Sequence, residues 1–206
     1  MMNSKLLVTA VVLLALLGGF LLRQSLIQED QLQEDLTQEN TTPPAAVETS
    51  AARVNFTLPD LAGVSRDFAE WDGQARIVNF WATWCAPCRR EIPLLKKTQS
   101  THGPSGLQVI GIAVDFTEDV IRYAEEADFN YPILVGQEDA MAVAESSGVE
   151  FIGLPFTMIV APGGDLLGVH LGEIHEPQMD SIVDHLDRFE RGEITVDKAR
   201  EALRDL

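Results

Sequence analysis

The stretch from residue 78 to residue 93 reads VNFWATWCAPCRREIP. It continues an apolar run that starts near Arg76, which is typical of a strand buried on both faces of a sheet. Cys85 and Cys88 follow this run, separated by two residues, and they are the two cysteines of the 206-residue chain. No framework of structural disulfides is therefore open to this protein. We expect its chemistry to lie at this junction of strand and helix.

The spacing of the two cysteines has a physical reason. A helix predicted from about Cys85 to Ser100 places Cys85 at its amino end, where free N–H groups and the helix dipole favour an anion. A lowered thiol pKa would make Cys85 the attacking sulfur, and Cys88, one turn further in, would resolve the mixed disulfide. Pro87 falls in the first turn, where its missing N–H costs little.

Two other uses of a C-x-x-C pair stay open on the sequence: half of a zinc site and a purely structural disulfide. A structural zinc ion needs four ligands, but no second C-x-x-C is present and the histidines are scattered, at His102, His170, His175 and His185. A disulfide that closes so short a loop stabilises little. We therefore expect no metal and no bound cofactor, and a redox-active Cys85–Cys88 disulfide.

Strand and helix patterns alternate along the chain from about residue 53. A hairpin is predicted over residues 54–65, then strands at 76–82, 107–114, 132–135, 156–160 and 166–171, and helices at 85–100, 118–127, 139–146, 177–191 and 196–203. The turn of residues 162–165, Pro-Gly-Gly-Asp, joins the last two strands. This order predicts an α/β fold with a central mixed sheet flanked by helices.

The first 52 residues differ in pattern from the rest. Residues 6–22 carry no charge, and as a helix they would span roughly 25 Å, near the minimum for crossing a bilayer. We expect a single-pass signal-anchor at 1–22; a cleaved signal peptide and a buried core helix are the alternatives. Residues 23–52 are polar and acidic, which favours a flexible tether. Both export interpretations place the domain outside the cytosol, where disulfide chemistry is active.

The net charge of the chain limits the classes of partner that it can bind. A formal charge of −17 argues against binding nucleic acid. Between residues 73 and 114, however, Glu91 is the single acid among five basic residues. This predicts a basic island around the cysteine helix, with an ordinary solvated helix face as the alternative. Its basic residues are Arg76, Arg89, Arg90, Lys96 and Lys97.

Residues 78–93 resemble the active-site strand and helix of the TlpA/ResA/DsbE branch of the thioredoxin superfamily, with Pro93 at the place of the helix proline. Residues 56–61 (FTLPDL) resemble the hairpin that precedes the fold in that branch, and residues 115–127 lie where the branch has its central helical insert. The resemblance covers about residues 53–190. It implies a thioredoxin fold over 53–191, followed by a helical extension over 192–206.

The same resemblance implies a surface that binds substrate. Residues 153–157 (GLPFT) resemble the loop that carries the cis-proline. Pro155 would then be cis and face the cysteines, and the backbone of Leu154 would pair with an incoming peptide strand. Trp84 and Pro87 would complete this surface beside Cys85. An ordinary proline at the start of a strand is the alternative for Pro155.

The proton chemistry departs from that of thioredoxin. Thioredoxin carries a buried aspartate six residues before its first cysteine, and Asn79 stands at that position here. Glu91, three residues after Cys88, is the candidate to replace it, because ResA-like proteins use a glutamate at this place. A glutamate on an exposed helix face is the alternative.

The branch implies thiol–disulfide exchange with protein thiols and disulfides. We expect a reductant, fed by a membrane electron donor, at the bacterial inner membrane with its catalytic domain in the periplasm or another extracytoplasmic space. Apocytochrome c before haem attachment is one implied substrate; however, Phe156 stands after Pro155, where the specialised cytochrome-maturation members carry an acid. A disulfide-introducing oxidant and a redox-inert, membrane-tethered binding module are the alternatives.

Overall fold

The computed structural model describes residues 53–204. The predicted signal-anchor (1–22) and acidic tether (23–52) lie outside these residues and stay predictions. Between residues 53 and 204, no helix has both the length and the apolar character that crossing a bilayer requires.

A mixed sheet lies at the centre of the described region. The strands are β1 (Thr57–Pro59), β2 (Ser65–Asp67), β3 (Ala75–Trp81), β4 (Leu107–Val114), β5 (Ile133–Gly136), β6 (Phe156–Val160) and β7 (Leu166–Leu171). The five-stranded sheet has the order β5-β4-β3-β6-β7, with β3, β4 and β5 parallel and with β6 antiparallel to both β3 and β7. β1 and β2 form a separate hairpin.

Helices cover both faces of this sheet. They are α1 (Ala86–His102), α2 (Thr117–Ala127), α3 (Glu138–Glu145), α4 (Glu176–Glu190) and α5 (Val196–Leu203), with short 3-10 turns at Phe68–Trp71 and Gly103–Ser105. Apolar residues of α1, α4 and α5 share one core cluster, and those of α3 and the β1–β2 region share the other. The predicted mixed sheet flanked by helices is therefore confirmed, and helix ends differ from the predicted ones by at most two residues.

The central strand β3 determines which side chains face α1. Alternate residues of a strand point to opposite faces. Ile77 and Trp81 belong to the cluster that contains α1, whereas Val78 and Phe80 belong to the other. Asn79 shares the face of Ile77 and Trp81, which places its amide against α1. All seven residues of β3 are buried because both faces are covered.

The last helix packs on the outer strand of the sheet. A Cβ at Gly168 of β7 would lie 2.9 Å from the Cβ of Leu203, so the glycine permits the close approach of α5. Ala199 and Leu203 are buried in the same cluster as α1, and Arg200 Nε donates to the carbonyl of Leu166 at 2.9 Å. The predicted helix at 196–203 is confirmed, while the boundary at 191 stays a prediction.

Candidate active site

The cysteine pair lies at the amino end of α1. Cys85 is the residue before the helix, with extended backbone angles, and its Sγ accepts a hydrogen bond from the N–H of Cys88 at 3.3 Å. The two sulfurs form a disulfide. Cys85 is 5% exposed and Cys88 is fully buried. The predicted order, with Cys85 nearer to solvent and Cys88 deeper, is therefore what the fold produces.

The two tryptophans beside the cysteines have different environments. Trp81 is buried, and its ring lies 5.4 Å from that of Tyr123 and 5.3 Å from that of Phe129. Trp84, adjacent to Cys85, is 68% exposed. An aromatic side chain this exposed beside a reacting sulfur suits contact with another molecule. Pro87 is half-buried in the first turn of α1.

The Leu154–Pro155 peptide bond is cis, as the resemblance implied. Phe80 of β3 pairs with Phe156 of β6, so Pro155 lies at the end of β3 from which the chain continues to Cys85. Pro155 is buried, Leu154 is half-buried, and the Pro155 carbonyl accepts from the N–H of Gly172 at 2.9 Å. The fold thus brings the proline loop to the same end of the sheet as the cysteines.

Glu91 is buried on the face of α1 that also buries Cys88. It is 2% exposed, so the alternative of a surface glutamate is wrong. Its Oε1 accepts from Asn79 Nδ2 and its Oε2 accepts from the N–H of Ile174, both at 2.8 Å. Burial raises the pKa of this carboxyl to about 7, although both hydrogen bonds lower it and the nearby charge of Glu173 adds to the rise. Glu91 can therefore gain or lose a proton near neutral pH.

Asn79 fixes the carboxyl from the sheet side. Its Nδ2 donates to Glu91 Oε1 and, at 2.9 Å, to the hydroxyl of Thr157, its partner in the pairing of β3 with β6. Both N–H groups of the amide are thus used. Sequence reasoning did not single out Thr157 or Ile174; a polar residue inside the apolar strand 156–160 was the available signal for Thr157.

Similarity to known proteins identifies the family of this chain. The sequence matches the AhpC/TSA family over residues 50–167. The chain belongs to that family. It is 29% identical over 132 residues to the thiol-disulfide oxidoreductase ResA of Halalkalibacterium halodurans, covering 64% of this chain and 73% of the relative. It is 28% identical over 136 residues to the thioredoxin-like protein YneN of Bacillus subtilis, covering 63% and 75%.

A solved structure extends the likeness to the fold. The thiol:disulfide interchange protein, thioredoxin family protein, of Chlorobium tepidum TLS aligns with a TM-score of 0.57 and 29% identity, covering 63% of this chain and 91% of that one. The predicted resemblance to ResA-like proteins is confirmed. This member of the AhpC/TSA family is a thiol–disulfide oxidoreductase similar to ResA.

The predicted basic island is wrong. The loop before α4 brings Glu173 against Arg90, and Glu176 at the start of α4 pairs with Lys97 at 2.9 Å. Arg76 lies buried in β3, away from the helix surface, and pairs with Asp72. The pairs made by Arg90 and Lys97 join segments whose proximity is created by the fold, whereas Arg76 and Asp72 lie four residues apart in the sequence. Within residues 53–204, Arg89 is the exposed cation beside Cys88 without an ion pair.

Asp115 also belongs to the site. The sequence had indicated it only as the first residue of the central insert. It follows β4 directly, and its Oδ2 accepts from both the N–H and the hydroxyl of Thr83. An acid that directly follows a buried apolar strand was the signal that could have found it. Among residues 53–204, no three His, Cys, Asp or Glu side chains cluster as metal ligands would.

Proposed function

We propose that this family member is a reductant of protein disulfides that works outside the cytosol. Buried Glu91 is the observation that carries the direction. Strong oxidants of this fold stabilise their reduced, thiolate form. Here a carboxyl group one helical turn from Cys88 shares its buried face, and in its ionised form it disfavours a second negative charge there. This favours the disulfide over the dithiol and makes the dithiol donate electrons readily.

The exchange proceeds in two substitutions at sulfur. The Cys85 thiolate attacks one sulfur of the substrate disulfide, forms a mixed disulfide and releases the first substrate thiolate. Cys88 then loses its proton and attacks Cys85 Sγ, which releases the second substrate thiolate. Two electrons pass to the substrate, and the Cys85–Cys88 disulfide that remains is the state seen in the structure.

Glu91 is the proton acceptor that we assign to the second substitution. Its ionised carboxylate takes the proton of the Cys88 thiol, because a base with a pKa near the working pH transfers protons efficiently. Glu91→Gln keeps the shape of the side chain, offers one acceptor oxygen where the carboxylate offers two, and cannot accept this proton. We expect the resolving step to slow by about a hundredfold at pH 7, measured by rapid-mixing decay of a preformed mixed disulfide on Cys85. A rate and pH profile equal to those of the wild type would remove Glu91 from this role.

The direction of electron flow is tested by the reduction potential, measured by equilibration with glutathione. We expect a value more negative than roughly −220 mV. A value near that of strong disulfide-forming proteins, about −120 mV, would favour the oxidant instead.

The substrates are identified by trapping. A Cys88→Ser variant of the full chain should hold partners on Cys85 as stable mixed disulfides, because its resolving thiol is missing. The matched control also carries Cys85→Ser, which should trap none. One substrate to seek among the trapped proteins is apocytochrome c, which would receive its electrons from the reduced Cys85–Cys88 pair.

A reductant of this kind needs a place outside the cytosol and a source of electrons. A signal-anchor at 1–22 and a tether at 23–52 would hold the described domain at the outer face of the inner membrane, within reach of a membrane dithiol that returns the pair to its reduced form. Protease added to intact spheroplasts should then digest the domain, whereas a cytosolic marker protein should survive. Protection of the domain would contradict this location.

A further inference from the structure

Asp115 contacts the loop that leads from β3 to Cys85. Its Oδ2 accepts from the N–H of Thr83 at 2.9 Å and from the Thr83 hydroxyl at 2.6 Å. Thr83 lies two residues before Cys85, and the N–H of Cys85 donates to the Ala82 carbonyl at 3.1 Å in the same turn. One carboxylate oxygen therefore fixes the backbone from which the attacking sulfur projects.

Asp115 is itself held in one orientation. Its N–H donates to the Gly136 carbonyl of β5 at 3.2 Å, and its Oδ1 accepts from the N–H of Phe116 at 2.8 Å. The residue is 7% exposed. A buried carboxylate whose two oxygens accept three hydrogen bonds has little freedom, because each alternative orientation leaves a polar group unsatisfied.

We propose that Asp115 is a positioning residue for thiol–disulfide exchange. It acts through Thr83: the two hydrogen bonds set the orientation of residues 83–85, and with it the approach of Cys85 Sγ and the exposed Trp84 toward a protein disulfide. Attack at sulfur requires the three sulfurs to align, and a displacement of about 1 Å at a reacting atom can cost on the order of a hundredfold in rate. The proposal rests on the exchange chemistry itself and is independent of the direction of electron flow.

The test uses substitutions on both sides of the contact. Asp115→Asn offers one acceptor oxygen where the three hydrogen bonds use two. Thr83→Val keeps the shape of the side chain and removes its hydroxyl, whereas Thr83→Ser retains the hydroxyl. Asp119→Asn is the matched control, because Asp119 lies in the first turn of α2 and pairs with Arg122 of the same helix.

The measurement is the second-order rate constant for reduction of insulin disulfides by each pre-reduced protein at 25 °C, with folding checked by circular dichroism. We expect about a tenfold loss for Asp115→Asn and about a threefold loss for Thr83→Val. Thr83→Ser and Asp119→Asn should stay within twofold of the wild type. A purely structural role would lower the thermal midpoint of unfolding without changing the rate constant of the folded protein.

Three results would overturn the proposal. The first is Asp115→Asn and Thr83→Val both within twofold of the wild type. The second is a loss in Asp115→Asn alone, with Thr83→Val unchanged, because the effect would then not pass through Thr83. The third is an equal loss in Asp119→Asn, which would indicate a general effect of charge. If Asp115→Asn does not fold, the comparison of Thr83→Val with Thr83→Ser decides the matter.

Discussion

A buried ionisable side chain lies near each end of the central strand β3, Arg76 in the strand itself and Glu91 on the helix packed against it, and the two are held differently. At the end where β3 begins, Arg76 is fully buried and contacts Asp72 at 2.8 Å, the carbonyls of Ala161 and Pro162 at 2.8 and 3.0 Å, and the ring of Phe68 at 4.5 Å. At the cysteine end, Glu91 accepts only from neutral groups among the residues described, Asn79 and the N–H of Ile174.

The chemistry of the partners explains the different behaviour of the two groups. An opposite charge and two carbonyls compensate the Arg76 guanidinium at the start of β3, although its Nε has no hydrogen-bond partner among the residues described. Neutral donors offset only part of the cost of burying a carboxylate, so the pKa of Glu91 rises to about 7. A buried charge with an oppositely charged partner serves the structure, whereas a buried carboxyl held only by neutral donors is available to move a proton.

The largest effect is expected from removing Arg76, the buried charge that has an oppositely charged partner. Arg76→Met keeps much of the volume but removes the guanidinium from Asp72 and from the Ala161 and Pro162 carbonyls, each of which keeps one backbone donor. We expect a loss of about 4 kcal/mol in the free energy of unfolding, measured with urea. The control Arg66→Met removes an exposed pair with Glu70 and should cost far less. Equal losses in the two variants would mean that the buried partners of Arg76 do not matter.

The second-largest effect concerns the pH dependence of the free energy of unfolding, to which Glu91 contributes. The pKa of Glu91 is about 7 in the folded protein against 4.5 as the ordinary value. The folded state thus binds this proton more tightly, and the associated stability is fully present below about pH 4.5 and is lost as the pH rises through about 7. Relative to oxidised Glu91→Gln, the oxidised wild type should therefore lose about 3 kcal/mol of unfolding free energy between pH 4 and pH 8. Parallel curves for the two proteins would show that Glu91 titrates normally.

The smallest effect is expected from removing one of the two hydrogen bonds that the Glu91 carboxyl accepts. Asn79→Ala removes a hydrogen bond that lowers the pKa of the carboxyl, so that pKa should rise by about one unit. The midpoint of the pH profile of the resolving step should move upward with it. Thr157→Val is the matched control, because it removes the second acceptor of Asn79 and leaves the bond to Glu91 in place. The comparison fails if the control moves the midpoint as far as Asn79→Ala does.

The elements and the cysteine pair follow from local features of the sequence. Three elements have the predicted bounds: the strands at 156–160 and 166–171 and the helix at 196–203. The signals that set these bounds are the hydrophobic period, the hairpin turn and the helix-capping residues, and each lies within the element or within a few residues of its ends. The same holds for Cys85 at the helix start and for buried Trp81. These features require no knowledge of what packs against the segment.

The state of each charge was decided by the tertiary structure. The sequence could name Glu91 as a candidate but could not choose between core and surface, since one of its partners, Ile174, lies 83 residues away. The predicted basic island failed because Glu173 lies 83 residues from Arg90 and Glu176 lies 79 from Lys97. Asp115 meets Thr83 across 32 residues, where β4 lies beside β3. The position of the reacting sulfurs is encoded locally, whereas the pKa of a buried group depends on solvent exclusion and partners that only the folded chain brings together.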